Sequence, residues 1–227
     1  MFPPASSPLP VLLAVTLPLA ALYGVFLWWW GGRGRPLTPA EVEQGLQALR
    51  AAAAPTTPPA DAEALLAGVR QLLAGDDGRE FVMVNLVRHR ARAAYPPGER
   101  WAGLGDDPRE ADRRYGRAIV PHLLRQGCLP LFIARRSGRL FEPPGAEAWH
   151  YVALVRYRSR RDFLHFALAI ERAGIAVHKW AAIETTQVFP TRPMLSLITV
   201  RATVAAALLL LGAGLLALAT GGAAVGA

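Results

Sequence analysis

Two long uncharged apolar stretches, with hydrophobic patterns in the order β-α-β-β-α-β between them, predict an α+β domain flanked by two transmembrane helices. Of the 227 residues, 52% are hydrophobic, against roughly 45–50% apolar in an ordinary soluble domain. The excess sits at the two ends. Val11–Trp30 and Ala202–Thr220 contain no charged residue, whereas every Lys, Arg, Asp and Glu lies between Arg33 and Arg201. A helix as long as either stretch spans a hydrocarbon core of roughly 30 Å.

Each span has an alternative. The first could be a cleaved signal peptide, but no Lys or Arg precedes it, and it ends in the tryptophans at 28–30 rather than in small residues. Tryptophans there suit the membrane interface, and Pro18 is tolerated in a lipid-embedded helix. The second, rich in Ala and Gly, competes with a buried core helix; its length, lack of charge and the leucines at 208–211 favour a span. Arg33 and Arg35 follow the first span, and Arg192 and Arg201 precede the second. The positive-inside rule therefore places the central domain in the cytoplasm of a two-pass cell-membrane protein, with both termini outside. The predicted organisation is a first span over 1–32, a helical linker over 33–77, the α+β domain over 78–192, and a second span with its tail over 193–227.

The residues 31–36 leave the first span as a flexible segment. Thr38, Pro39 and Glu41 have the spacing of a helix start with a capping box, and that helix runs to about Ala54. After a proline-rich break, a second helix covers Asp61–Ala74, with Leu65, Val69, Leu72 and Leu73 on one stripe. Phe81–Val87 is β-branched, aromatic and apolar, as a buried strand requires. Residues 91–108 form a polar loop. A helix follows over Arg109–Gln126, presenting Tyr115, Ala118, Ile119, His122 and Leu123 on one face, with Gly127 at its C-terminal cap. Strands are predicted at 128–135 and Trp149–Tyr157. Ser159 caps a helix carrying Phe163, Phe166, Ala167 and Ile170, and the last strand is Ile183–Phe189. This order is the split βαβ arrangement of ferredoxin-like folds, a four-stranded antiparallel sheet with helices on one face. The bare apolar face needs cover, and a second copy would close it into a dimeric α/β barrel.

The stretches GREFVMVNLVR (Gly78–Arg88), VRYRSR (Val155–Arg160) and HKWAAIETT (His178–Thr186), with the Tyr115–Gly127 helix, resemble the dimeric α/β-barrel superfamily. They are most similar to its branch of uncharacterised small bacterial proteins. The resemblance runs from Gly78 to Thr186 and implies a homodimer with an internal pocket. Superfamily relatives include cofactor-free monooxygenases, haem-binding enzymes and lactone isomerases, but this branch has no settled activity. Arg158 stands where the branch usually carries Pro, and compact members lack the two spans.

Several residues are candidates for chemistry. Asn85 interrupts an apolar strand, so it either contacts a ligand or ties down a neighbouring loop. Tyr115 and His122 lie two turns apart on one helix; His122 is either a general base, a haem ligand or a histidine satisfied by a backbone carbonyl. Arg156 suits a bidentate grip on a carboxylate or enolate, or pairs with a nearby acid. Tyr157 suits donation to a carbonyl oxygen, and Ser159 is a cap. His178 precedes the last strand as a possible acid or base. Lys179, the only lysine, is either a desolvated amine acting as base or Schiff-base nucleophile, or a surface ion-pair partner of Glu184 or Glu171. The catalytic candidates are thus Tyr157 and His178, and the ligand-binding candidates Asn85, Tyr115 and Arg156.

The net charge of +8 admits nucleic acid or anionic lipid as partners. The arginines, however, are scattered and lack the interleaved aromatics of a single-strand platform, so nucleic acid is not expected. The five histidines show no metal-site spacing, Cys128 is alone, and no phosphate loop or serine elbow is present. No metal or cofactor is therefore expected. The expected function is binding of a small hydrophobic or carbonyl-bearing molecule, with proton transfer or cofactor-free oxygenation as the class if it is an enzyme. The alternative is a non-catalytic membrane scaffold or sensor that dimerises through the same domain.

Overall fold

The structure, a computed structural model, describes residues 9–31, 34–53, 59–194 and 200–221. It divides into two compact units, 1–31 with 195–227, and 32–194.

The first unit holds α1 (Leu9–Gly31) and the chain's last helix, Val200–Gly221, each long and apolar enough to cross a membrane. They pack along one another. The absent side chain of Gly212 admits Leu19, whose Cδ1 lies 3.0 Å from where a Cβ would sit. The Tyr23 hydroxyl approaches the Arg201 carbonyl at 3.4 Å. Pro18 sits inside α1 without ending it, and Tyr23, Phe26 and Trp30 stack in succession.

The second unit begins with α2 (Pro39–Ala52) and α3 (Pro59–Ala74). Thr38 and Glu41 form the expected capping box: the Glu41 carboxylate accepts from the Thr38 N–H at 2.8 Å, and Glu41 N–H donates to Thr38 Oγ1 at 3.3 Å. Then come β1 (Phe81–His89), α4 (Glu99–Ala102), α5 (Pro108–Arg125), β2 (Leu129–Arg135), β3 (Tyr151–Tyr157), α6 (Arg160–Arg172), α7 (Ala176–Ala182) and β4 (Ile183–Thr191); the helix at 200–221 is α8. The strands form one antiparallel sheet in the order β2-β3-β1-β4. The ladder slips between Pro130 and Phe132, where proline has no N–H to give.

Alternation sorts the sheet into two faces. Phe81, Met83 and Tyr157 pack with Leu123 and Cys128 at the end of α5 and with Phe166 and Ile170 of α6. The other face carries a row through all four strands, Phe132–Leu154–Val84–Phe189, of which Phe132 is 47% and Phe189 38% exposed. The expected linker at 33–77 is not a stand-off spacer. Val42, Leu46, Leu49, Val69 and Leu73 bury against Leu164 of α6, making α2 and α3 an added layer of the same unit.

α7 was not legible in the sequence, and β1 runs two residues beyond the predicted Val87. Gly78, which opens β1, has φ +71°, and an added Cβ would stand 2.3 Å from the Gly34 carbonyl oxygen. Gly78→Ala is therefore expected to cost at least about 1–3 kcal/mol, read as a lower denaturation midpoint. An unchanged midpoint would show that this close approach does not constrain the fold.

Candidate functional site

Between the sheet and α5 lies a cavity of about 1040 Å³. Its floor is two cross-strand rows, Ile133–Ala153–Asn85 and Arg135–Tyr151–Val87–Thr186. Its roof is the face of α5 that carries Asp112, Tyr115, Gly116 and Ile119. The space exists because small residues meet across it. Ala153 sits at the middle of the floor, and a Cβ added to Gly116 would touch nothing within 4 Å. α5 is buried at Leu123, packs Tyr115 and Ile119 partly on the core, and leaves the cavity beside Gly116.

At the other end of α5 a polar junction ties helix to sheet. Asp112 accepts from Tyr151 Oη at 3.2 Å through Oδ1 and meets His89 Nε2 at 3.0 Å through Oδ2. The His89 backbone N–H donates to His150 Nδ1 at 3.0 Å, and the two imidazoles lie 5.5 Å apart. Burial first, and then the Asp112 charge and hydrogen bond, hold the Tyr151 phenol well above its usual range. It therefore stays a neutral donor. Burial, aided by the His89, Arg109 and Arg88 charges, holds His150 below the ordinary imidazole value.

The five sequence candidates fall into two groups. Asn85, Tyr115 and Tyr157 line the cavity. Asn85 Nδ2 donates to the Met83 and Ala153 carbonyls at 3.2 and 3.3 Å, which fixes the amide orientation. Its Oδ1 has no hydrogen-bond partner among the described residues, and neither do the Tyr115 and Tyr157 hydroxyls. Burial pushes both phenols up; Asp112 and then Glu171 add to the effect at Tyr115, and Tyr115 and then Cys128 at Tyr157. Tyr157 also stacks on Phe81 and is a core residue at its base.

Arg156 and His178 are elsewhere. Arg156, one residue from Tyr157, points to the opposite face of the sheet. It donates to Glu80 at 2.9 Å and to the Gly127 carbonyl at 2.8 Å, locking the α5–β2 turn. His178, on α7, accepts or donates through Nδ1 with Tyr95 Oη at 2.9 Å and stands edge-on to Trp101. It pins the 91–108 segment to α7. His122 lies in the last turn of α5, outside the cavity lining. Lys179, by contrast, lines the cavity and makes no ion pair with Glu184, which Arg88 holds at 3.2 Å. Its ammonium lies 5.0 Å from the Trp180 ring, and burial lowers its pKa while Glu171 and Asp112 oppose that shift.

Asp112, His89 and Tyr151 were missed in the sequence. The signal was present: Asp112 is one turn before Tyr115 on the same helical face, and His89 continues the inward alternation through Asn85 and Val87. Ending β1 at Val87 hid His89.

Burial, followed by the charges of Arg114 and Arg100, depresses the pKa of His178. The unfolded chain then takes up this proton at a higher pH than the folded one, so the contribution is complete above the ordinary imidazole pKa and is lost as pH falls through the folded value. Thermal midpoints measured at pH 7 and pH 5 are expected to differ less in His178→Gln than in the parent. An equal difference in both would mean that His178 does not sense the fold.

No family model and no curated protein matches the chain. Among solved structures, RPA0582, a protein of unknown function from Rhodopseudomonas palustris, is 27% identical with a TM-score of 0.49; the match covers 59% of this chain and 95% of that one. The crystal structure of methylated RPA0582 is 28% identical with a TM-score of 0.50, over 59% of this chain and 92% of that one.

Proposed function

We propose that this is a two-pass membrane protein whose cytoplasmic domain, of ferredoxin-like topology, pairs with a second copy as a dimeric α/β barrel and binds a small hydrophobic or carbonyl-bearing molecule between its sheet and α5. The observation that carries the reading is convergence: Asn85 Oδ1, two phenol hydroxyls and the Lys179 ammonium line one largely apolar cavity without hydrogen bonds of their own among the described residues. Polar groups so placed are ordinarily satisfied, by protein, water or ligand. The strand order β2-β3-β1-β4 supports the topology, and the apolar row from Phe132 to Phe189 supports pairing, since a sheet face of that kind is costly to leave in water. If a reaction occurs, it is proton transfer or cofactor-free oxygenation. His89, held by Asp112, replaces His178 as its acid or base, and Tyr157 remains a neutral donor at the floor.

A second reading, a scaffold that brings membrane helices together, draws on the same exposed row, because pairing through it needs no ligand. Native mass spectrometry of the full-length protein separates the two. A dimer with a bound small molecule is expected, and Gly116→Phe, which fills the cavity from open space, is expected to stay dimeric and lose it. An empty dimer would favour the scaffold, and a monomer would overturn the barrel.

A further inference from the structure

The cavity has one polar end, and the charges around that end are not balanced. Arg113 pairs with Glu110 at 2.8 Å. Arg139 reaches Glu142 at 2.8 Å, and Arg136 shares that carboxylate. Asp107 is committed to the α5 N-terminus, accepting from the Arg109 N–H at 2.9 Å, and both oxygens of Asp112 are taken by His89 and Tyr151. Two lining guanidiniums remain without an acid partner among the described residues, Arg109 and Arg135, both exposed.

Their positions converge. Arg109 stands one helical turn before Asp112, on the roof. Arg135 stands directly across from Tyr151 in the β2–β3 ladder, on the floor. Asp112 and Tyr151 are the two groups that meet at 3.2 Å, so the two arginines belong to opposite walls at the same end of the cavity. The Arg109 charge is already felt at His150. Away from this point, Ile119, Val155 and Ala153 line the wall with the Tyr115 and Tyr157 rings.

We infer that the ligand of this cavity is an organic carboxylate with an apolar or aromatic body, its carboxylate held between Arg109 and Arg135 and its body lying along Tyr115, Ile119 and Val155. The inference rests on the cavity reading above and adds the charge and orientation of what fills it. Two guanidiniums on opposing walls match the two oxygens of a carboxylate, each able to donate a pair of hydrogen bonds. Because both are exposed, they also attract an anion before it enters, an effect that salt weakens. A carbonyl further along the body would come under the Asn85 and Lys179 side of the floor.

The test compares two probes of identical body, 4-phenylbutyrate and 4-phenylbutanol, titrated calorimetrically into the full-length protein in lipid nanodiscs, with empty nanodiscs as the blank. The acid is expected to bind about ten-fold more tightly than the alcohol, with the gap shrinking as salt is raised. In Arg109→Ala/Arg135→Ala the preference is expected to disappear while the alcohol binds as before; neither arginine carries an ion pair among the described residues. Gly116→Phe is expected to abolish binding of both probes. Equal binding of acid and alcohol by the parent, or a preference that survives the double substitution, overturns the carboxylate inference and leaves the cavity reading standing. Binding of neither probe, or binding that Gly116→Phe does not affect, overturns both.

Discussion

Asp112 is the residue on which the site depends. A helix laid over a sheet normally closes onto it, because apolar side chains gain contact on both sides. α5 does so at Leu123, which is fully buried, and at Ala111 near its N-terminus, which packs with Val87 and Ile183. Next to Ala111 the Asp112 carboxylate grips His89 on β1 and Tyr151 on β3 together. A polar tie has a fixed length, set by hydrogen-bond geometry. It therefore holds the helix at a distance where Ala153 and Gly116 leave the middle unfilled. The same tie keeps the cavity mouth polar and turns His89 towards it.

The α+β class and most of its elements were legible because their signals are local. The capping box at Thr38 and Glu41, the Ser159 cap with its 3.1 Å bond to the Asp162 N–H, and the alternation in β1 and β3 each report the backbone that makes them. α7 was hidden because its seven residues, Ala176–Ala182, carry no side-chain cap and run directly into β4. The site was only partly legible for a different reason. Residue type identifies what a side chain can do, but face and register decide whom it meets. Asn85 and Tyr157 lie on the cavity face of their strands while Arg156, adjacent to Tyr157, lies on the other, and one residue of register is enough for that. His178 is chemically apt for acid–base work, yet it lies outside the cavity lining, with Tyr95 on its Nδ1 and Trp101 edge-on to its ring.

The apolar surface divides in a way that fits the proposed arrangement. α1 and α8 carry theirs outward over their whole length, as helices in lipid do. The domain carries part of its own in the row from Phe132 to Phe189, with Leu140 and Phe141 exposed in the β2–β3 connection. α2 and α3 pack on α6, with Arg161 bonding Glu41 at 2.7 Å to fix α2 there. The Glu41 carboxyl is held well below the usual carboxylate range by that guanidinium and by the Thr38 N–H.

The most direct test of the account is a double-mutant cycle on the helix-to-sheet tie, with Asp112→Ala, Tyr151→Phe and the pair compared in denaturant unfolding. If the tie holds α5 in place, the two substitutions are non-additive, with a coupling of about 0.5–3 kcal/mol. Losses that add to within about 0.3 kcal/mol would contradict it, because the cavity would then owe its shape to packing alone.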